Sequence, residues 1–128
     1  SEKQGGKKIM KNSISPGTNA TVQWDGAGFI YNVTIKIAHD IHEDWLQWLK
    51  AEHIPEVVQT GCFTHALILR LMEVDDSDGP TYAVQYFASS KGLYNNYIEN
   101  HAGEMRQKSF EKWGDNFIAF RSVMQVVN

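Results

Sequence analysis

The stretch FTHALILRLMEV (63–74), DDSDGP (75–80), TYAVQYFA (81–88) decides the fold. Its outer parts are rich in aliphatic, aromatic and β-branched residues, and the six residues between them are turn formers closing on Gly79 and Pro80. That pattern predicts a β-hairpin, with a long strand from Phe63 to Val74 and its partner from Thr81 to Ala88. The first strand carries apolar residues in both alternating registers, Leu67, Leu69 and Leu71 beside Ile68 and Met72, and Phe117 to Val127 does the same. Strands of this kind are usually buried on both faces.

Upstream of the hairpin, Tyr31, Val33, Ile35 and Ile37 alternate with Asn32, Thr34 and Lys36, which predicts a strand over 29–38 with one buried face. Asp40 is placed to cap a helix whose apolar stripe is Ile41, Trp45, Trp48 and Leu49. Pro55 is expected to stop that helix, because the residue before a proline resists helical geometry. A short turn then carries Val57 and Val58 to Gly61. Downstream, Tyr94, Tyr97, Ile98 and His101 share one face of a second helix beginning near Lys91, which Gly103 is expected to kink or divide. A further piece carries Met105, Phe110 and Trp113 to Gly114, and the last strand covers 116–127. The order β-α-β-β-α-β places the chain in the α+β class as a ferredoxin-like domain, a four-stranded antiparallel sheet with two helices on one face. The other face needs a cover, and a second copy of the sheet is the simplest one, so a homodimer through the sheet face is expected.

Length and composition bound the function. The 128 residues, 42% of them hydrophobic, suffice for one domain with a core. Lys plus Arg number 12 against 15 Asp plus Glu, a formal charge of -3 that argues against binding a phosphate backbone. No apolar run nears the roughly 20 residues of a membrane span, so no membrane partner is expected. The single cysteine, Cys62, allows no intrachain disulfide and fits a reducing, cytoplasmic setting. Residues 1–28, rich in Lys, Gly, Ser, Asn and Thr, read as an N-terminal extension or a segment left by expression, in which Thr21 to Trp24 has some strand character; residues 29–128 are the domain.

Two short phrases echo each other, Glu52-His53-Ile54-Pro55-Glu56 and Asn100-His101-Ala102-Gly103-Glu104, each reading His-x-x-Glu across a helix breaker. Histidine is the natural acid or base near neutral pH, and a neighbouring carboxylate can orient it or raise its pKa. His53, Glu56 and His101 are therefore the candidate catalytic groups. Each histidine has an equally ordinary reading as a core residue with one hydrogen-bond partner. No metal site is expected, since di-metal bundles use Glu-x-x-His on unbroken helices and here the order is reversed around a breaker. No phosphate-binding loop or nucleophile motif appears, and no cofactor is expected. Trp48, Tyr86 and Tyr97, with His53 and His101, are the candidate ligand-binding residues, drawn from a dense aromatic set that would serve equally as core. Of the two histidines, His53 is expected to mark the site, because a helix ended by Pro55 would leave backbone groups unpaired beside it. Arg70 and Arg121 lie in strand patterns where a charge needs a partner, and Glu73 is the expected one.

Several phrases, Ile30-Tyr31-Asn32-Val33-Thr34, Glu52-His53-Ile54-Pro55-Glu56-Val57, Thr60-Gly61-Cys62-Phe63, Gly79-Pro80-Thr81-Tyr82-Ala83-Val84-Gln85-Tyr86 and Phe117-Ile118-Ala119-Phe120-Arg121, resemble an uncharacterised bacterial family of domains of unknown function. The resemblance covers nearly all of the domain and leaves the first 28 residues out. More remotely the layout is similar to the dimeric α+β barrel superfamily, which includes cofactor-free monooxygenases, isomerases and haem enzymes. That likeness implies a fold and transfers no reaction. Three functions stay open: binding of a small apolar or aromatic ligand between helices and sheet, cofactor-free monooxygenase or isomerase chemistry there, and a non-enzymatic dimerisation module.

Overall fold

The alternation of Tyr31, Val33, Ile35 and Ile37 becomes strand β1 (Phe29–Ile37) in the computed structural model, which describes residues 28–128. The segment Thr21 to Trp24 lies outside the described residues. β1 pairs antiparallel with β3 (Thr81–Ala88) on one side and with β4 (Phe117–Gln125) on the other. β2 (His65–Arg70) pairs with β3, so the sheet order is β2-β3-β1-β4. With helical crossovers after β1 and after β3, this is the ferredoxin-like arrangement.

Register sets two unlike faces. Tyr31 stands opposite Tyr86, Val33 opposite Val84, and Ile35 opposite Tyr82, and all six side chains are buried under the helices. The alternate residues face the other way, and there Leu67 is 48%, Ile118 60% and Phe120 71% exposed. Both-register apolar strands are thus present as read, with one register covered within the chain and the other open. At the middle of the open face Gln85 Nε2 donates to Asn32 Oδ1 and Asn32 Nδ2 to Thr34 Oγ1, a polar ladder within an apolar surface.

The strand expected from Phe63 to Val74 is shorter at both ends. Cys62 and Phe63 are buried against the core before β2 begins, and beyond Leu71, whose N–H still bonds to the Thr81 carbonyl, Glu73 takes a left-handed φ of 60° that ends pairing. The expected partner of Arg70 is likewise corrected: its guanidinium lies 3.6 Å from Asp76, not against Glu73, in the loop between the strands. In that loop Gly79 is obligatory, because a Cβ there would stand 1.7 Å from the Ile37 carbonyl oxygen. The close approach lets Ile37 N–H donate to the Pro80 carbonyl and ties the loop to β1.

The first crossover overturns the expectation that Pro55 stops the helix and that a turn follows it. A 3-10 turn (His39–Ile41), whose N-cap is Ala38 and not Asp40, leads into α1 (His42–Trp48), a π-turn (Leu49–His53) and α2 (Ile54–Val58). Ile54 N–H reaches back five residues to the Leu49 carbonyl, and Pro55 then falls in the first turn of α2, where a missing N–H costs no helical bond. The second crossover is also corrected. α3 (Lys91–Asn100), capped by the Ser90 hydroxyl accepting from Leu93 N–H, ends at His101, whose φ of -129° breaks the helix. α4 (Ala102–Trp113) follows with Gly103 inside it, so the division falls two residues before the glycine.

Candidate functional site

Between the helices and the covered face of the sheet lies a cleft of about 40 Å³. Tyr31, Val33 and Ile35 from β1 and Tyr86 from β3 form its floor. Leu49 and His53 from the π-turn, Tyr97 from α3, and Met105, Arg106 and Ser109 from α4 complete it. An α-helix drifts about 40° for every four-residue step, so a stripe spaced by fours slides off its face. Trp45, Leu49, His53 and Val57 are such a stripe, and the wider π-turn in their middle removes drift, keeping His53 and Val57 on the inner side.

His53 is the least satisfied group in this cleft. Its Nδ1 is buried and finds no hydrogen-bond partner. Burial pushes the imidazole pKa down to about 4; Glu56 opposes the shift, while Lys108 and Arg121 reinforce it. The expectation that a neighbouring glutamate would raise it is therefore corrected, because desolvation outweighs the carboxylate. Glu56 is engaged elsewhere, by Lys108, which also lies 3.6 Å from Glu104. At neutral pH His53 is an uncharged imidazole with one ring nitrogen free to bond.

The phenols around it stay protonated. Burial raises the pKa of Tyr86, with the nearby Tyr97 and Tyr31 adding to the shift, and burial raises that of Tyr97, while Arg106 and Arg121 pull it back. Arg106 donates to the Tyr31 hydroxyl oxygen at 3.2 Å. Arg121 stands opposite Val33 across the β1–β4 pair and therefore on the helix side of the sheet. Phe63 packs edge-on against Tyr97 at 4.9 Å and closes the aromatic cluster from behind.

Of the residues singled out in the sequence, His53, Tyr86 and Tyr97 are brought together in the cleft. Trp48 is not in it. Its ring stacks on the outer side of His53 at 4.7 Å and meets Trp113 edge-on, and it lines an outer groove with Asp44, Glu52 and Lys112. His101 touches the site only through Tyr97, whose ring it faces at 6.2 Å. Among the described residues no three His, Cys, Asp or Glu side chains gather as metal ligands, and no helix is long and apolar enough to cross a membrane. Sequence reasoning left Tyr31 and Ser109 out of the site. Tyr31 carried a usable signal: it sits in the inward register of β1, where a hydroxyl-bearing ring among Val and Ile is the exception.

Residues 28–127 match the model of a family described as a domain of unknown function, DUF4286. No curated protein matches the chain. Among solved structures the chain is similar to a candidate antibiotic biosynthesis monooxygenase from Nitrosomonas europaea, at a TM-score of 0.57 and 9% identity, with 84% of this chain and 95% of that one covered. It is also similar to a dimeric ferredoxin-like protein from an uncultured marine organism, at a TM-score of 0.55 and 12% identity, with 80% and 97% covered. At such identities the likeness shows the fold alone.

Proposed function

The chain belongs to the DUF4286 family of domains of unknown function, and from the geometry of its own cleft we propose that it is a small-ligand-binding homodimer. The buried, unpartnered Nδ1 of His53 carries the binding half of this reading. A polar atom shut away without a partner costs about 1–3 kcal/mol, and a ligand atom that bonds to it recovers that cost. The enclosed space of about 40 Å³ is well below the roughly 300–1,000 Å³ of sites that swallow a drug-sized molecule. The cleft therefore grips one end of a molecule, a group of a few heavy atoms, while the rest lies in the mouth.

Binding is favoured over monooxygenase or isomerase chemistry. A general base for such reactions works best with a pKa near the operating pH, and His53 sits at about 4. A thermal-shift screen of small aromatic acids and quinones tests the site: some ligand should raise the Tm of the wild type and fail to raise that of His53→Ala. Equal stabilisation of both proteins rejects it.

The homodimer reading is supported by the open sheet face, with Leu67, Leu69, Ile118 and Phe120 at 40–71% exposure, and by the dimeric description of the marine structural relative. Pairing two such faces is the simplest way to cover them. Light scattering should give the mass of two chains, and Phe120→Asp should give one; a wild-type monomer at micromolar concentration rejects the dimer. The net charge of -3 argues against nucleic acid as a partner, and the lone buried Cys62 suits a reducing cytoplasm.

A further inference from the structure

Resting on the cleft reading above, we propose that the group it grips is a carboxylate, the anionic end of a small organic acid whose carbon chain lies in the mouth. No acidic side chain lines the cleft, while hydrogen-bond donors do: the Tyr86 and Tyr97 hydroxyls, Ser109 and the Arg106 guanidinium. Because Arg106 donates to the Tyr31 oxygen, the hydroxyl hydrogen of Tyr31 is left to donate onward. Three cations, Arg106, Lys108 and Arg121, stand around the cleft with two nearby carboxylates, Glu56 and Glu104, and Lys108 engages both of those. Arg106 and Arg121 have no carboxylate partner among the described residues.

An anion moved out of water is tolerated only where a cation and donors meet it, and a guanidinium meets a carboxylate with two parallel hydrogen bonds. The enclosed volume of about 40 Å³ suits a head group of three heavy atoms and excludes a ring. Size, donor set and uncompensated positive charge thus select the same chemical group. A neutral amide of the same shape would bring a pair of N–H donors to a site already made of donors, and would gain nothing from the guanidinium charge.

Calorimetric titration of the full chain with hexanoate, hexanamide and inorganic phosphate tests the inference. Hexanoate should bind, and hexanamide should bind at least about tenfold more weakly, the ratio expected for losing one charge-assisted hydrogen bond. Arg106→Gln should weaken hexanoate by about tenfold with little effect on hexanamide, Arg106→Lys should recover part of the loss, and Arg121→Gln should cost less than Arg106→Gln. Both arginines are exposed, so circular dichroism should show folded variants. Hexanamide binding as tightly as hexanoate, with both lost in His53→Ala, would leave the cleft standing and overturn the carboxylate. Phosphate binding as tightly as hexanoate would also overturn it, in favour of a general anion patch. If neither organic probe binds, the cleft reading falls with it.

Discussion

The two helical crossovers carry the same His-x-x-Glu phrase and treat it in opposite ways. In the first the helix runs unbroken through Pro55 by opening into a π-turn, and His53 is drawn into the cleft with a ring nitrogen unsatisfied. In the second the helix stops at His101, whose backbone N–H still bonds to the Tyr97 carbonyl and whose ring lies outside the cleft-lining set. An identical short motif therefore yields a strained, buried polar group in one place and a relaxed junction in the other. What separates them is the surrounding packing: the first crossover must keep Trp45, Leu49 and Val57 on the sheet, and His53 lies between them.

The largest effect should come from breaking the first crossover's grip on the sheet. Leu49 is 1% exposed within the π-turn, and Leu49→Ala should cost about 3–4 kcal/mol in chemical denaturation, as other buried leucines do. Phe110→Ala in the second crossover, where the ring is 59% exposed, should change the monomer's stability by less than about 0.5 kcal/mol. Comparable losses at the two positions would mean the two crossovers are held alike.

The next effect is a pH dependence that belongs to His53. Its folded pKa of about 4 lies below the ordinary 6.5, so between these values the unfolded chain binds the extra proton. Its contribution is complete above pH 6.5 and is lost as the pH falls towards 4, a change of about 2–3 kcal/mol. His53→Gln should flatten that part of the stability curve. A wild-type curve with no slope between pH 4 and 6.5 contradicts the burial of the imidazole.

Two smaller substitutions sharpen the contrast. Gly103 lies in the helical body of α4 with open space where a Cβ would go, so Gly103→Ala should stabilise by about 0.5–1 kcal/mol. Loss of stability would return the helix break to the glycine. Glu56→Gln removes the partner of Lys108 at a half-exposed pair and should cost about 0.5 kcal/mol, while NMR should show the His53 titration moving still lower as the carboxylate's opposing charge disappears.

The sheet was legible because its signal is local. Alternation along Tyr31 to Ile37 and the turn chemistry of Asp75 to Pro80 state strand, face and hairpin without reference to the rest of the chain. The helices were legible as elements and misread at their joints. Whether Pro55 ends a helix depends on the hydrogen-bond pattern of the five residues before it, and that pattern is chosen by the packing of Leu49 and Val57 on the sheet. The cleft was half legible: His53, Tyr86 and Tyr97 stood out by residue type, but joining them to Tyr31 and Arg106 requires the register that sets Tyr31 against Tyr86 and the fold that lays α4 over β1. Arg70 shows the same limit on a smaller scale, since the nearer Glu73 is turned away by its own backbone and Asp76 takes the contact.

A π-turn holds one residue more than the α-turn it replaces, and that gives residues 49–53 a particular place in the chain's history. Removing one codon from this segment would restore a regular helix and rotate everything after it by about 100° relative to what precedes it. Either His53 or Val57 would then leave the inner face. The cleft can thus be gained or erased by a single three-nucleotide insertion or deletion, with the four strands and their register untouched, so relatives that differ by one residue in this helix need not share whatever this domain binds.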